Sequence, residues 1–135
     1  MHNCYVGFSH GGFVIGSEMS RGVSNVLVED CTFVNSDVGV RIKSAYGRGG
    51  VVENIEVRRV NMINIKEEAV ILNMDYVHNI MDYEEPEVRS NDVEDIPVFR
   101  DISINQCTCI GAERGVVIKD LKAEIPTIYL SLIHI

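Results

Sequence analysis

Hydrophobic and polar residues alternate with a period of two in three similar segments of the chain. Each segment opens with Asn or Asp, and the segments span residues 25–33, 54–62 and 101–109. Such alternation is typical of a strand that buries one face, whereas an amphipathic helix repeats every 3.6 residues. Residues 3–5 resemble the end of a fourth copy. The pattern therefore predicts a repeated strand and argues against a helical protein.

A second short apolar segment follows each copy at a nearly constant distance. Counted from a reference position in each copy, it begins 8, 8, 9 and 8 residues later. The reference positions are Cys4, Cys31, Val60 and Cys107, and the second segments are 12–16, 39–43, 69–73 and 115–119. Successive reference positions lie 27, 29 and 47 residues apart. The longest interval contains an acidic, proline-bearing stretch, which we interpret as an insertion loop at about 77–97.

A unit of two or three short strands cannot bury its apolar face alone, but stacked copies can. We therefore predict an all-β fold, a single partial β-helix domain over residues 1–135 with about four to five coils. A β-sandwich remains possible from strand content, although the constant spacing favours the solenoid. In the solenoid the four reference positions form one inward ladder, so we interpret the cysteines there as buried free thiols.

Composition and charge exclude several classes of function. The net charge of −8 argues against general nucleic-acid binding, because the overall field of the chain repels a polyanion. No apolar run reaches the length of about 18 residues that a transmembrane helix needs, and we expect no membrane partner. The N-terminus lacks a signal-peptide pattern, which leaves an extracellular, periplasmic or cytoplasmic location open. The oligomeric state is open as well.

Two cations interrupt the repeat in its second segment. Arg41 aligns with Val14, Ile71 and Val117, and Lys43 aligns with Gly16, Asn73 and Lys119. Both alternate with apolar neighbours, so we expect them on the outer face, about 7 Å apart along the strand. This pair suits a carboxylate ligand, which Arg grips with two hydrogen bonds while Lys adds a point charge. The alternative is an ordinary solvated strand face.

Two turns next to these segments contain further candidates. Arg48 lies in the glycine-rich turn 46–50 and would bring a third cation to the same rim. His10 lies before glycines in the turn that precedes a second segment, where Asp37 and Glu113 occupy equivalent positions. A histidine beside glycine can approach a substrate closely, although a solvated turn residue is the alternative. The acidic segments 82–87 and 91–95 lack the ligand spacing of a calcium loop, so we expect no metal and no other cofactor.

These motifs together resemble the polygalacturonases, the family 28 glycoside hydrolases. The resemblance rests on segments 9–20, 41–43 and 47–50, and segment 73–76 resembles the family's next motif. It covers Asn3 to about Leu121 and implies a right-handed parallel β-helix. It also implies inverting hydrolysis of α-1,4-galacturonosyl bonds in polygalacturonate or pectin, without a metal. The implied partner is a galacturonate-containing polysaccharide or oligosaccharide.

The resemblance also implies roles for individual residues. Arg41 and Lys43 match the pair that binds a galacturonate carboxylate, and Tyr76 matches a tyrosine near the leaving group. His10 matches the histidine that supports the catalytic aspartates, although Ser9 stands where the family usually has glycine.

The catalytic aspartates themselves are missing from the 135 residues. The family places them in an Asn-Thr-Asp and an Asp-Asp motif one to two coils before His10, and neither motif occurs here. An inverting glycosidase needs both a general acid and a general base. We therefore expect the C-terminal part of a longer enzyme, which holds substrate but is inactive by itself. The alternative functions are a non-catalytic carbohydrate-binding β-solenoid and a purely structural solenoid.

Overall fold

The computed structural model describes residues 1–74, 96–119 and 128–134. These ranges contain nine strands and no helix. In chain order the strands are β1 (Tyr5–Gly7), β2 (Gly11–Ile15), β3 (Val23–Val34), β4 (Val38–Lys43), β5 (Val51–Ile63), β6 (Glu68–Asn73), β7 (Val98–Ile110), β8 (Arg114–Lys119) and β9 (Ile128–His134). The predicted insertion at 77–97 lies outside the described residues except for 96 and 97. Within the described ranges, no helix is long and apolar enough to cross a membrane.

The strands form two parallel sheets that alternate along the chain. Odd-numbered strands pair in the order β1-β3-β5-β7-β9, and even-numbered strands pair in the order β2-β4-β6-β8. Every pair is parallel, so each strand lies beside the equivalent strand of the next coil. The predicted parallel β-helix is confirmed.

The register reproduces the repeat that the sequence predicts. Cys31 pairs with Val60 across β3 and β5, and Val40 pairs with Val70 across β4 and β6. Cys31, Val60 and Cys107 are fully buried in the core, and Cys4 packs against its edge. All four cysteines are free thiols. The inward ladder therefore forms, and its cysteines serve as small apolar residues.

The Asn or Asp that opens each copy lies where the coil bends. Asn25, Asn54 and Asp101 have φ angles of 59°, 53° and 52°. Asn and Asp adopt this left-handed conformation more readily than other residues with a side chain. The Asn54 side-chain amide also donates to Asn25 Oδ1 at 2.5 Å, from one coil to the next. The recurring polar residue is thus required by a backbone bend rather than by a ligand.

Strict alternation fails at the start of the even-numbered strands. Ala69 and Val70 are consecutive in sequence, and both pack in the core. At the equivalent place one coil earlier, a Cβ on Gly39 would lie 2.3 Å from the Met62 sulfur, inside the core. Two successive inward positions leave Glu68 on the outer side of the sheet, where it lines the cleft described next.

Candidate functional site

A shallow cleft of about 160 Å³ lies on the outer face of the even-numbered sheet. Strands β4, β6 and β8 supply its floor because their side chains stack in columns that run from coil to coil. Residues that line it include Arg41, Lys43, Glu68, Ile71, Asn73 and Lys119. The predicted cations Arg41 and Lys43 therefore face the same cleft, as the strand alternation required.

His10 connects two coils through both nitrogen atoms of its ring. Its Nδ1 lies 3.0 Å from Asp37 Oδ2, and its Nε2 lies 3.0 Å from Arg41 Nη1. Arginine has only N–H donors, so Nε2 must accept this hydrogen bond. Nδ1 then carries the proton and donates it to Asp37. The two contacts together select the neutral imidazole with its proton on Nδ1.

Asp37 is held ionised by its neighbours. The hydrogen bond from His10, followed by the one from Lys66, holds the pKa of the Asp37 carboxyl below its ordinary value. Lys66 Nζ lies 3.1 Å from Asp37 Oδ1. A carboxylate that stays charged at neutral pH keeps the proton of His10 on Nδ1 and so maintains the orientation of the ring.

Arg41 faces outward as expected, but it is covered rather than solvated. Its exposed fraction is 8%, because neighbouring coils supply partners for the guanidinium. Nη1 donates to His10, and Nη2 lies 3.4 Å from Glu67 Oε2. Within residues 1–74, 96–119 and 128–134, these two contacts engage two of its five N–H donors. The guanidinium is therefore positioned before any ligand arrives.

Lys43 begins a polar column that runs across three coils. It pairs with Asn73 on β6, and Asn73 pairs with Lys119 on β8. Two strand spacings separate the two lysine positions, which is roughly 10 Å. The column brings a second lysine, far from Lys43 in sequence, to the same cleft.

The two remaining residues of the predicted site are Arg48 and Tyr76. Arg48 follows β4, and its Nε lies 3.9 Å from Glu18 Oε2 in the loop that follows β2. That Arg48 reaches the ligand at this rim remains a prediction. Tyr76 lies outside the described residues, so its role as a substrate contact also remains a prediction.

Three charged residues of the cleft were absent from the predicted site: Glu67, Glu68 and Lys119. Glu67 stacks on Asp37 through a hydrogen bond from its backbone N–H to the Asp37 carbonyl, 2.8 Å long. The predicted column of turn residues contained His10, Asp37 and Glu113 and missed Glu67. One feature of the sequence could have revealed Glu67: the third copy has nine residues between its reference position and its second segment, where the other copies have eight. Lys119 was aligned with Lys43, but only the register shows that both line one cleft.

A larger groove of about 400 Å³ follows the adjacent corner of the coils and shares Asp37 with this site. Phe8, Asn35, Asn64 and Lys66 also line it. Asn64 Nδ2 donates to Asn35 Oδ1 at 2.6 Å, so the two amides partly satisfy one another. Arg41, Lys43 and Lys119 all line the smaller cleft, which we take as the candidate site.

Comparisons with known proteins show which proteins this chain resembles. A probable polygalacturonase of Vitis vinifera is 48% identical over 52 residues, which are 38% of this chain and 11% of that protein. An exo-poly-alpha-D-galacturonosidase of Dickeya chrysanthemi is 35% identical over 79 residues, 58% of this chain and 13% of that protein. The solved polygalacturonase from Erwinia carotovora ssp. carotovora superposes with a TM-score of 0.73 at 28% identity. That match covers 96% of this chain and 31% of the solved chain.

The chain thus spans between about a tenth and a third of the length of these relatives. The family model for glycosyl hydrolases family 28 matches residues 1–98. Since that match covers well over half of the 135 residues, this chain belongs to glycosyl hydrolase family 28.

Proposed function

We propose that this chain binds galacturonate-containing polysaccharide through Arg41 and Lys43, as the substrate-holding part of an inverting polygalacturonase. One observation carries the proposal: the Arg41 guanidinium is held between His10 and Glu67 on the outer face of the sheet, beside Lys43. A cationic pair at this spacing is complementary to a carboxylate. The polygalacturonases among its relatives act on a polymer that presents one carboxylate per sugar unit.

The fixed position of the Arg41 side chain also favours binding energetically. An exposed arginine loses side-chain entropy when it binds a ligand. Arg41 is already held by two partners and is almost fully covered, so much of this loss has occurred during folding. The charge of Arg41 is balanced only in part by Glu67, whose side chain remains 43% exposed. Three cations, Arg41, Lys43 and Lys119, line the cleft beside the two carboxylates Glu67 and Glu68, so the cleft keeps cationic character for an acidic sugar.

His10 completes the proposed arrangement as a positioning residue. Its side chain is 67% exposed, while both ring nitrogens are engaged by Asp37 and Arg41. The 135 residues contain neither an Asn-Thr-Asp nor an Asp-Asp motif. Because no other pair of carboxylic acids matches those positions, we expect the chain alone to bind oligogalacturonate without cleaving it. Arg48 and Tyr76 are proposed as further contacts to the same ligand.

A non-catalytic carbohydrate-binding solenoid is the second candidate, because the cleft beside Arg41 and Lys43 would bind the same ligand in it. The coding sequence upstream of residue 1 distinguishes the two candidates. Coding sequence upstream of Met1 that carries both motifs supports the hydrolase. A start site at Met1 with no such sequence supports the binding solenoid.

Binding of labelled trigalacturonate to the 135-residue chain, measured by fluorescence anisotropy at low salt, tests the proposal. We expect Arg41→Ala to weaken binding at least tenfold, since a hydrogen bond to a charged group contributes about 1.5–3 kcal/mol. Added salt should weaken binding as well. The matched control is Arg100→Ala, because Arg100 pairs with Glu53 on the odd-numbered sheet, away from the cleft. Absence of binding by the folded wild-type chain at low salt contradicts the proposal.

A further inference from the structure

Phe8 is a strained aromatic residue at the corner between β1 and β2. Its φ angle is 54°, in the left-handed region that a bulky side chain seldom adopts. The equivalent corner residues of the next three coils are Asn35, Asn64 and Gly111, with φ angles of 53°, 56° and 79°. Asn and Gly suit this conformation better than Phe does. The backbone therefore requires a left-handed residue at this corner, but it does not require an aromatic one.

Phe8 is also exposed to solvent. Its exposed fraction is 83%, the highest among the large hydrophobic side chains in the described part of the chain. A single exposed hydrophobic residue is ordinary on a protein surface. One that also holds a strained backbone is not, because neither its conformation nor its surface favours the fold. Such strain is concentrated at sites that bind ligands, so the surroundings of Phe8 indicate what it contacts.

A groove of about 400 Å³ lies against Phe8. Its other lining residues come from the second and third coils and are Asn35, Ser36, Asp37, Asn64 and Lys66. Phe8 thus contributes to the groove from the first coil and faces the coils that follow it. Among the residues that the structure describes, none lines both this groove and the cleft of Arg41 and Lys43. The groove is therefore a separate surface.

Two amides on neighbouring coils give the groove its hydrogen-bonding groups. Asn64 Nδ2 donates to Asn35 Oδ1 at 2.6 Å. Within residues 1–74, 96–119 and 128–134, no other hydrogen bond engages Asn35 Nδ2 or Asn64 Oδ1. One of these groups donates and the other accepts, and a hydroxyl group can do both. The amide pair therefore suits a ligand with several hydroxyl groups.

The charges in the groove compensate one another. Lys66 Nζ lies 3.1 Å from Asp37 Oδ1, and His10 Nδ1 lies 3.0 Å from the other carboxylate oxygen. Asp37 and Lys66 are the charged residues among those that line the groove. Their pairing leaves little net charge for an ionic ligand, in contrast to the cleft with its three cations. The groove therefore favours a neutral ligand.

We propose that the groove beside Phe8 is a second carbohydrate site, which binds a neutral β-1,4-linked pyranose chain. When the hydroxyl groups of a pyranose are equatorial, its faces carry only C–H groups, and such a face packs on an aromatic ring. One sugar ring stacks on Phe8, and its hydroxyl groups bond to Asn35 and Asn64. The site does not depend on the proposed galacturonate site, because it recognises apolar ring faces and hydroxyl groups rather than carboxylates.

Titration of the 135-residue chain with cellohexaose and with xylohexaose, followed by two-dimensional NMR, tests the site. The side-chain amide signals of Asn35 and Asn64 should shift, and the shifts give the Kd. Phe8→Asn should weaken binding about tenfold through loss of the aromatic contact. Phe8→Tyr keeps the ring and should retain binding.

The stability of Phe8→Asn separates a lost contact from a lost fold. This variant places at the first corner the residue that the next two coils have there. It should be at least as stable as wild type in urea unfolding, because Asn relieves the backbone strain. Tyr129→Ser is the matched control. Tyr129 is a 59% exposed aromatic residue on β9, paired with Ser103 and outside the groove, so its removal should leave hexaose binding unchanged.

Trigalacturonate distinguishes the two sites. Arg41→Ala should weaken trigalacturonate binding and leave hexaose binding unchanged, and Phe8→Asn should do the reverse. An equal loss of both ligands in Phe8→Asn would place Phe8 in the acidic site and overturn the second site. Failure of the folded wild-type chain to bind either hexaose, or hexaose binding that persists in Phe8→Asn, also overturns it. None of these results bears on the proposed function, which the effect of Arg41→Ala on trigalacturonate tests by itself.

Discussion

His10 and Arg41 are 31 residues apart in sequence, and their side chains meet across one coil with 3.0 Å between Nε2 and Nη1. Since arginine has no acceptor, this contact requires an unprotonated Nε2 and directs the remaining ring proton to Asp37. The site therefore contains a histidine with a defined tautomer between an anion and a cation. Its behaviour is accessible to measurement without any substrate.

The tautomer predicts how Asp37 responds when His10 is removed. In His10→Ala the pKa of Asp37 should rise toward the ordinary value of 3.8, because the His10 hydrogen bond is the largest cause of its depression. Carbon-13 NMR titration of the Asp37 carboxyl measures this directly. Lys66→Ala is the comparison and should produce a smaller rise. An unchanged Asp37 pKa in His10→Ala would contradict the geometry.

In the wild-type chain, nitrogen-15 NMR of the His10 ring should report its proton on Nδ1, which faces Asp37, and none on Nε2, which faces Arg41. The opposite tautomer would exclude an Arg41 donor at Nε2.

An ion-pair cluster on the odd-numbered sheet predicts sensitivity to acid. Arg59 Nη2 lies 2.8 Å from Glu29 Oε2, and Arg59 Nε lies 2.7 Å from Asp30 Oδ1. Hydrogen bonds from Arg58 and Arg59 lower the pKa of Glu29, and the one from Arg59 lowers the pKa of Asp30. Since both folded pKa values lie below the ordinary ones, these pairs stabilise the fold above the ordinary values of 4.5 and 3.8. That stabilisation is lost as the pH falls through the folded pKa values.

Urea unfolding of wild type and Arg59→Ala at several pH values tests this sign. The free energy of unfolding should differ most near neutral pH, and the difference should disappear in acid as the carboxyls become protonated. Arg100→Ala, which removes the partner of a single carboxylate, should show a smaller pH-dependent difference. A difference between wild type and Arg59→Ala that grows below pH 4 would contradict the assignment.

The glycine at the start of β4 predicts a packing limit. A Cβ at Gly39 would lie 2.3 Å from Met62 Sδ and 2.4 Å from the Ala69 carbonyl oxygen. Gly39→Ala should therefore cost about 1–3 kcal/mol of unfolding free energy through overpacking. Gly7→Ala is the control, because its new Cβ would mainly meet the exposed Tyr5 ring at 2.9 Å, which can move. Equal stability of the two variants in urea unfolding would show that the coils adjust at Gly39.

The inward ladder predicts which core substitution the protein tolerates. Val60 is fully buried and pairs with Cys31, so Val60→Cys places in the third copy of the repeat the residue that the first, second and fourth copies have at this position, Cys4, Cys31 and Cys107. Its cost should stay below about 1.5 kcal/mol because the volume changes little. Met62→Ala, on the same buried face, should cost about 2–5 kcal/mol because it leaves a cavity. Chemical unfolding measures both, and a larger loss for Val60→Cys would contradict the ladder.

Most of the fold could be predicted from the sequence because a solenoid repeats one local pattern. The alternation in 25–33, 54–62 and 101–109 marks the same strand in each coil, and the nearly constant gap to the second segment sets the register. Parallel stacking then places equivalent residues beside one another, so Arg41, Ile71 and Val117 fall in one column. Arg41 and Lys43 could be found because they depart from their column.

The rest of the site depended on contacts between coils. Alternation predicts that Arg41 faces outward, but its burial results from His10 on the preceding coil and Glu67 on the following one. Alternation also places Glu68 on the inner side, and only the packing of Gly39 and Ala69 against the core turns it to the cleft. The order of apolar and polar residues thus determined the coil, its inward ladder and its cationic strand. Side-chain packing between coils decided which charges meet, because those distances depend on bends that the alternation does not specify.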